Sequence, residues 1–460
     1  MEPDSTLQLH LLELVNDSED QAPALLTLPN GNRLSLIKLS ISANNTAPIP
    51  DYICVSYVWG SDRIANPVQV GPEMISTNTL PALSAAMHNT NHKAFWIDAF
   101  CIPTTQPARR ATFESMGYIY SQARQVRVAL SKHSFQAVRQ LTVADKMDED
   151  ALATLDQDQW VQSTWTYQEV VNSQTLAFIC PGALGEIVDG ESFFNGMSYS
   201  LRTLNPFSIR ERFPSIDTFE DLLADWRIAG YSQRSALAVM SNMDRRVWHE
   251  DRNYFHSMIG AVTSQPRWRS WEEPHLSELF MKICEEKKDF SFIYSSATRS
   301  IDPARRWRPE TGLLPSILTW HSWGESQPGQ LDFDGSLTLD RMLTLRRSAL
   351  SDEAKQFIAK WLHREDLREE RELTEQLYKT LIYMGFKGST EYIPLGVGVY
   401  FPQTELASGI QIEAFVSTCI RWTLGAPAIA CVMNDGVGTY TPGVFVGIVD
   451  ETASHSVRLV

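Results

Sequence analysis

At 460 residues the chain is longer than one hydrophobic core usually organises, which predicts two or three domains. Its 43% hydrophobic and 21% charged residues fall in the ordinary globular range and exclude extended disorder. A formal net charge of -15 excludes non-specific attraction to nucleic acid or an anionic membrane surface, because both demand clustered Lys and Arg.

Residues 1–45 read as a lead-in that carries one strand, the apolar-polar alternation of Leu34 to Ile41, and ends at the turn cluster Asn44, Asn45 and Thr46. Its first residues, MEPDSTLQLHLLELV, are acidic and lack the basic start of a secretory signal. No apolar run is long enough to span a bilayer, and the expectation is a cytoplasmic protein with no membrane association.

Residues 46–200 predict an α/β domain. Short continuous apolar runs at Ile53 to Val55, Ala94 to Ile97, Val126 to Leu130 and Leu176 to Ile179 suit strands buried on both faces. Helical patterns at Leu80 to Met87, Ala111 to Ala123 and Trp160 to Asn172 separate them, and that alternation implies a parallel sheet with helices on both sides. Ligands bind such sheets outside the carboxyl ends of the strands. Ser56, Tyr57, Trp59 and Gly60, then Asp98 and Cys101, fall at those ends.

Residues 201–385 predict a mainly helical extension, with helices at Phe219 to Ile228, Arg246 to Ile259 and His275 to Glu286. A Pro/Trp-rich connector, Ile301 to Gly329, is expected to bury Trp307, Trp320 and Trp323. A charged helix follows from Asp352 to Tyr383, with HREDLREERELTEQ as a solvated face. Residues 386–460 are rich in β-branched residues and turn formers and predict a small antiparallel β-rich region.

The six cysteines, Cys54, Cys101, Cys180, Cys284, Cys419 and Cys431, include no C-x-x-C pair, and the histidines include no H-E-x-x-H. Neither a disulfide framework nor a metal site is expected. The segment Ser163-Thr164-Trp165-Thr166-Tyr167-Gln168-Glu169 is the most informative for chemistry. Helical spacing puts Trp165 and Glu169 on one face, where an indole and a carboxylate would share a pocket. The plain reading of Glu169 is a surface or structurally paired glutamate, that of the tryptophans core packing, that of Asp98 a cap, and that of Cys101 an inert buried thiol.

The blocks SYVWG, FWIDAFCI, YIYSQARQVRVALS and WTYQEV, in this order over about Tyr52 to Cys180, resemble the fungal heterokaryon-incompatibility domain. That domain is in turn similar to the TIR domain, and Ser163, Trp165 and Glu169 match its Ser-x-Trp-x-x-x-Glu element. The resemblance implies a TIR-like, flavodoxin-like parallel sheet that hydrolyses NAD to nicotinamide and an ADP-ribose product in regulated cell death. Glu169 would be the catalytic carboxylate. Ser56, Tyr57, Trp59, Gly60, Asp98, Cys101, Ser163 and Trp165 would surround NAD, which is substrate and not cofactor. It also implies a homo-oligomer formed through this domain and a protein partner that triggers it.

Two positions depart from the family pattern. Ser163 stands where an arginine is common, and Pro103 to Arg110 replaces acidic residues. The alternative these departures motivate is a non-catalytic signalling or self-association module with a degenerate pocket. Arg109 and Arg110 are themselves able to approach a pyrophosphate.

Overall fold

The computed structural model describes the chain from Thr6 to Val460 except residues 16–24, 43–47, 69–73, 182–184, 205–210, 228–233, 264, 267–274, 325, 368, 407–410 and 435–436. The turn expected at Asn44 to Thr46 lies outside the described residues. Where the sequence suggests four consecutive segments, two compact units divide the chain: Met1–Ile228 with Arg246–Glu272, and Ala229–Arg245 with Glu273–Val460.

The first unit is mixed α/β, built on one sheet. Its strands are β1 (Thr6–Leu14), β2 (Leu26–Thr27), β3 (Arg33–Ser42), β4 (Tyr52–Tyr57), β7 (Ala94–Trp96), β8 (Gln125–Ala129), β9 (Leu176–Ile179) and β10 (Ile187–Asp189); a separate hairpin joins β5 (Arg63–Ala65) to β6 (Met74–Ser76). Across the sheet the order is β10-β9-β8-β4-β7-β1-β3-β2. The four central strands, β9, β8, β4 and β7, are parallel, with Cys54 opposite both Val126 and Trp96. The lead-in is therefore part of this sheet: β1 and β3 pair antiparallel from Thr6 and Ser42 to Leu14 and Leu34, and β1 continues onto β7.

In chain order the four parallel strands are β4, β7, β8 and β9, so the chain moves to one side of β4 and then crosses to the other. That reversal falls at the carboxyl end of β4, the point at which sheets of this kind take ligands. Tyr52 to Ser56 are all buried, because helices cover both faces of a central strand.

The helices are α1 (Thr79–Ala86), α2 (Asp98–Cys101), α3 (Ala108–Glu114), α4 (Met116–Gln122), α5 (Phe135–Ala144), α6 (Glu149–Asp156), α7 (Gln159–Gln162), α8 (Trp165–Val171), α9 (Gly190–Arg202), α10 (Pro214–Arg227) and α11 (Asp251–Val262). Two helices expected to be continuous are broken. Ala111 to Ala123 divides at Ser115, giving α3 and α4. Trp160 to Asn172 divides because Ser163 is extended and bridges to Val247, whose N–H bonds the Gln162 carbonyl at 2.8 Å. The break turns Trp160 into the core, edge-on to Phe178 at 5.6 Å and to Phe219 at 5.3 Å. Burial of each such ring contributes about 2 to 3 kcal/mol.

The second unit holds an antiparallel sheet in the order Gly329–Leu331, Leu337–Arg346, Ile412–Ser417, Gly425–Asn434, Val437–Gly447, Gly398–Pro402, Ile393–Pro394, with His455–Leu459 also paired to Leu337–Arg346. The β-rich region thus reaches back to residue 329, well before 386, because its partner strands are far apart in sequence. The charged helix is two helices, Asp352–Trp361 and Glu370–Tyr383. Its ion pairs Arg364–Asp366 and Arg371–Glu375 are exposed, in keeping with a solvated face. Of the connector tryptophans, Trp307 is fully buried and donates to the Gly335 carbonyl at 3.0 Å, Trp320 is partly exposed, and Trp323 is an exposed edge residue paired with Arg421. Among the described residues, no helix is long and apolar enough to cross a membrane.

Candidate functional site

Glu169 sits on α8 with 7% of its surface exposed. The Ser56 hydroxyl, from the carboxyl end of β4, donates to one carboxyl oxygen, and the Tyr120 hydroxyl, from α4, donates to the other at 2.9 Å. The Trp160 indole N–H donates to Ser56 Oγ at 2.6 Å, which leaves the Ser56 proton free to point at the acid. Loss of hydration on burial is the largest influence on Glu169 and pushes its pKa up to about 8; the hydroxyl and indole donors oppose it, and the Asp98 charge adds to it.

The indole bonded into this cluster is therefore that of Trp160, and not the Trp165 that helical spacing suggests. Trp165 stacks on His256 of α11, with centroids 6.3 Å apart, and packs against Phe113 of α3 at 6.0 Å. Ser163 caps the start of α8: its Oγ accepts the Trp165 N–H at 3.3 Å, and its carbonyl accepts from Arg246 at 3.2 Å. A guanidinium from a distant part of the sequence thus lies beside Ser163. Gln168 lies against Gly260 of α11, and neither atom of its buried amide has a hydrogen-bond partner among the described residues.

A second carboxylate cluster lies beside the first. Asp98, at the start of α2, accepts the Trp59 indole N–H at 2.7 Å and the Ala99 N–H at 2.6 Å, and is also bonded by Tyr57. Loss of hydration raises its pKa, and these donors pull it back. Tyr57 shares a 2.9 Å hydrogen bond with Thr79. Gly60 turns the loop after β4 with a φ of +61°; a Cβ there would meet the Asn78 amide at 3.2 Å, while that amide holds the Val58 carbonyl. Arg63 lies over the Trp59 ring at 5.3 Å.

Cys101, expected beside the ligand, is fully buried with its thiol toward the Phe95 carbonyl, and burial pushes its pKa up to about 12. That environment makes it packing in place of a ligand contact or nucleophile. The fold thus brings Ser56, Tyr57, Trp59, Asp98 and Glu169 around the carboxyl end of β4, and seats Cys101 in the core, Trp165 against His256 of α11, and Ser163 against Arg246 and Val247. Sequence reasoning missed Tyr120 and Trp160. The only signal for either was membership of the YIYSQ block and the first residue of the segment read as one helix.

Residues 52–174 match the family model Heterokaryon incompatibility protein (HET). The HET segment runs from β4 past the end of α8 and contains Ser56, Asp98, Tyr120, Trp160 and Glu169. It excludes α11, which carries His256. The match suggests a heterokaryon-incompatibility role. No curated protein and no solved structure matches the chain.

Two expectations follow from these geometries. Because Glu169 has an ordinary pKa of 4.5 and titrates at about 8 when folded, the folded protein holds a proton that the unfolded chain has already released between those values. The stability this proton gives is fully present below the lower value and lost as pH rises through about 8, a change of roughly 5 kcal/mol at most. Urea midpoints measured from pH 5 to 9 should fall with pH in the wild type and more shallowly in Glu169→Gln; parallel slopes would contradict the assignment. Trp59→Phe removes the indole donor from Asp98 and should cost about 1.5 to 3 kcal/mol of unfolding free energy. An unchanged denaturation midpoint would mean that this bond carries no net stability.

Proposed function

We propose that the protein is an NAD glycohydrolase with a TIR-like HET domain, acting in heterokaryon incompatibility and regulated cell death. The observation that carries this reading is the buried Glu169 carboxyl at the carboxyl end of the central strand, bonded by Ser56 and Tyr120. Breaking the bond between nicotinamide and ribose develops positive charge on the sugar, and an ionised carboxylate beside it stabilises that charge. Nicotinamide already leaves as a neutral ring from a cationic one, so the acid needs no proton to give. The donors from Ser56, Tyr120 and Trp160 favour the ionised form, and the cationic ring of bound NAD would favour it further.

In this reading Trp59 and Asp98 flank the sugar or ring, and Ser56 acts through Glu169. Assembly through the HET segment and a triggering protein partner complete the proposal. The test is to incubate the purified chain with NAD and follow nicotinamide release, with the mass in solution measured alongside. Turnover that scales with protein concentration supports the reading; no turnover at any concentration in an assembled sample rejects it.

The second reading, a non-catalytic signalling module, is favoured by one specific observation: two hydroxyls close in on a carboxyl that holds its proton at neutral pH. It expects the same cellular phenotype from the wild type and from Glu169→Gln.

A further inference from the structure

We propose that a cleft at the amino edge of the first unit's sheet binds the phosphate ester of a small sugar, Arg124 and Arg127 taking the phosphate and the amides of Asn89 and Asn91 the sugar hydroxyls. The cleft has a volume of about 620 Å³, the size of a small-molecule site. It lies where the loop after α1 meets the first residues of β8, β9 and α9. Gln125 opposes Ile53 and Val128 opposes Ser56 in the parallel ladder, so the cleft stands roughly 10 Å along β8 from the level of Ser56, on the edge away from Glu169. It is therefore independent of the reading of Glu169 given above.

Charge is the first argument. Arg127 interrupts the apolar run of β8, a central strand covered on both faces, and is 6% exposed. Its Nη1 donates to the Ala86 carbonyl at 2.8 Å and to the His88 carbonyl at 2.7 Å, and its Nε donates to the Gln125 amide oxygen at 2.9 Å. These bonds clamp the end of α1, but every acceptor is neutral. Burial without a counter-charge disfavours the cation and lowers its pKa, a cost that an anion in the cleft relieves. Nη2 meets the Asn89 carbonyl only at 3.4 Å and so has a donor to spare. Arg124 is exposed on the same cleft, and among the described residues no carboxylate pairs with either guanidinium.

The acids of the cleft are already answered. Asp189 caps α9 by accepting the Ser192 N–H at 2.9 Å, and Glu191 pairs with Arg227 at 2.5 Å. Two unmatched positive charges remain in a chain of net charge -15, and the dianion of a phosphate monoester matches both.

The walls select the rest of the ligand. Asn89, Thr90, Asn91 and Thr175 are amide and hydroxyl, and Leu176 is the one large aliphatic side chain among the lining residues. A nucleotide base needs a broad aromatic face, and the single lining ring is that of His92. Asn89 and Asn91 each offer a donor and an acceptor, the pair that a sugar hydroxyl uses. Their loop is held from within, since Asn89 takes a φ of +51°, which asparagine tolerates, and turns its carbonyl to Arg127. Thr175, Asp189, Glu191 and Arg227 complete the cleft from outside the HET segment.

The experiment is a calorimetric titration of the full chain with glucose 6-phosphate, with glucose and inorganic phosphate in parallel. Wild type is expected to bind the ester more tightly than either fragment. Arg124→Glu should weaken the ester at least about tenfold, the worth of one charge-assisted hydrogen bond. Asn91→Ala should weaken the ester and leave inorganic phosphate unchanged, and Glu191→Gln, which releases Arg227, should tighten both. Arg124 is on the surface, so its variant decides the matter even if Arg127→Met fails to fold. Glu169→Gln should bind the ester as the wild type does. No binding by the wild type, equal binding by Arg124→Glu, or loss of binding in Glu169→Gln overturns the proposal. Inorganic phosphate bound as tightly as the ester overturns the assignment to a sugar. If the ester binds with these sensitivities while NAD is never cleaved, the cleft stands and the hydrolase reading falls.

Discussion

Glu169→Gln is expected to lower nicotinamide release from NAD by at least about a hundredfold while leaving the protein folded, because the amide keeps the shape of the side chain and cannot carry negative charge. Glutamine keeps one accepting oxygen for one of the two hydroxyls and donates its N–H to the oxygen of the other, which turns its own proton away, so the cluster should persist. The pH dependence sharpens the expectation. The active form is the carboxylate, and the free protein holds Glu169 protonated until about pH 8. The wild-type kcat/KM should therefore rise with pH and level off above about 8, whereas kcat should level off at lower pH because bound NAD brings a cation to the acid. A profile that falls through this range, or a Glu169→Gln protein that keeps wild-type turnover, would remove Glu169 from the mechanism.

Gly117→Ala is expected to destabilise the first unit by at least about 3 kcal/mol, the upper range for overpacking a filled core. A Cβ at Gly117 would lie 2.1 Å from the Gly260 carbonyl oxygen and 2.4 Å from that of Thr263, so α4 and α11 would have to separate as backbones. Gly260→Ala is the graded comparison. Its Cβ would strike the far end of the Gln168 side chain at 1.6 Å, and although that amide is fully buried, a side chain can turn where a backbone cannot. The Gly117 variant should thus cost more than the Gly260 variant in urea midpoint. It should also disturb the site, since α4 carries the Tyr120 that bonds Glu169. Wild-type midpoints for both variants would mean that the helices do not approach this closely.

The short apolar runs at Ile53 to Val55, Ala94 to Ile97 and Leu176 to Ile179 were legible as buried strands because a central parallel strand has two covered faces and needs no polar alternation. The carboxyl-end positions of Ser56, Tyr57, Trp59 and Asp98 followed from the same pattern, and the HET segment was legible from four ordered blocks. The lead-in was harder. Its alternation showed a strand, but nothing local told that β1 would pair with β7 across eighty residues.

What sequence alone determined is the four buried parallel strands, the useful side chains at the carboxyl ends of the first two, and Glu169 as the acid of the WTYQEV block. Tertiary structure decided the rest. A non-local bridge from Val247 to Ser163 broke the helix and swung Trp160, in place of Trp165, toward the acid; neither residue's own propensity records a partner eighty-four positions away. Burial, which exists only once the layers have closed, raised the Glu169 pKa and made an ordinary carboxyl one that titrates near neutrality.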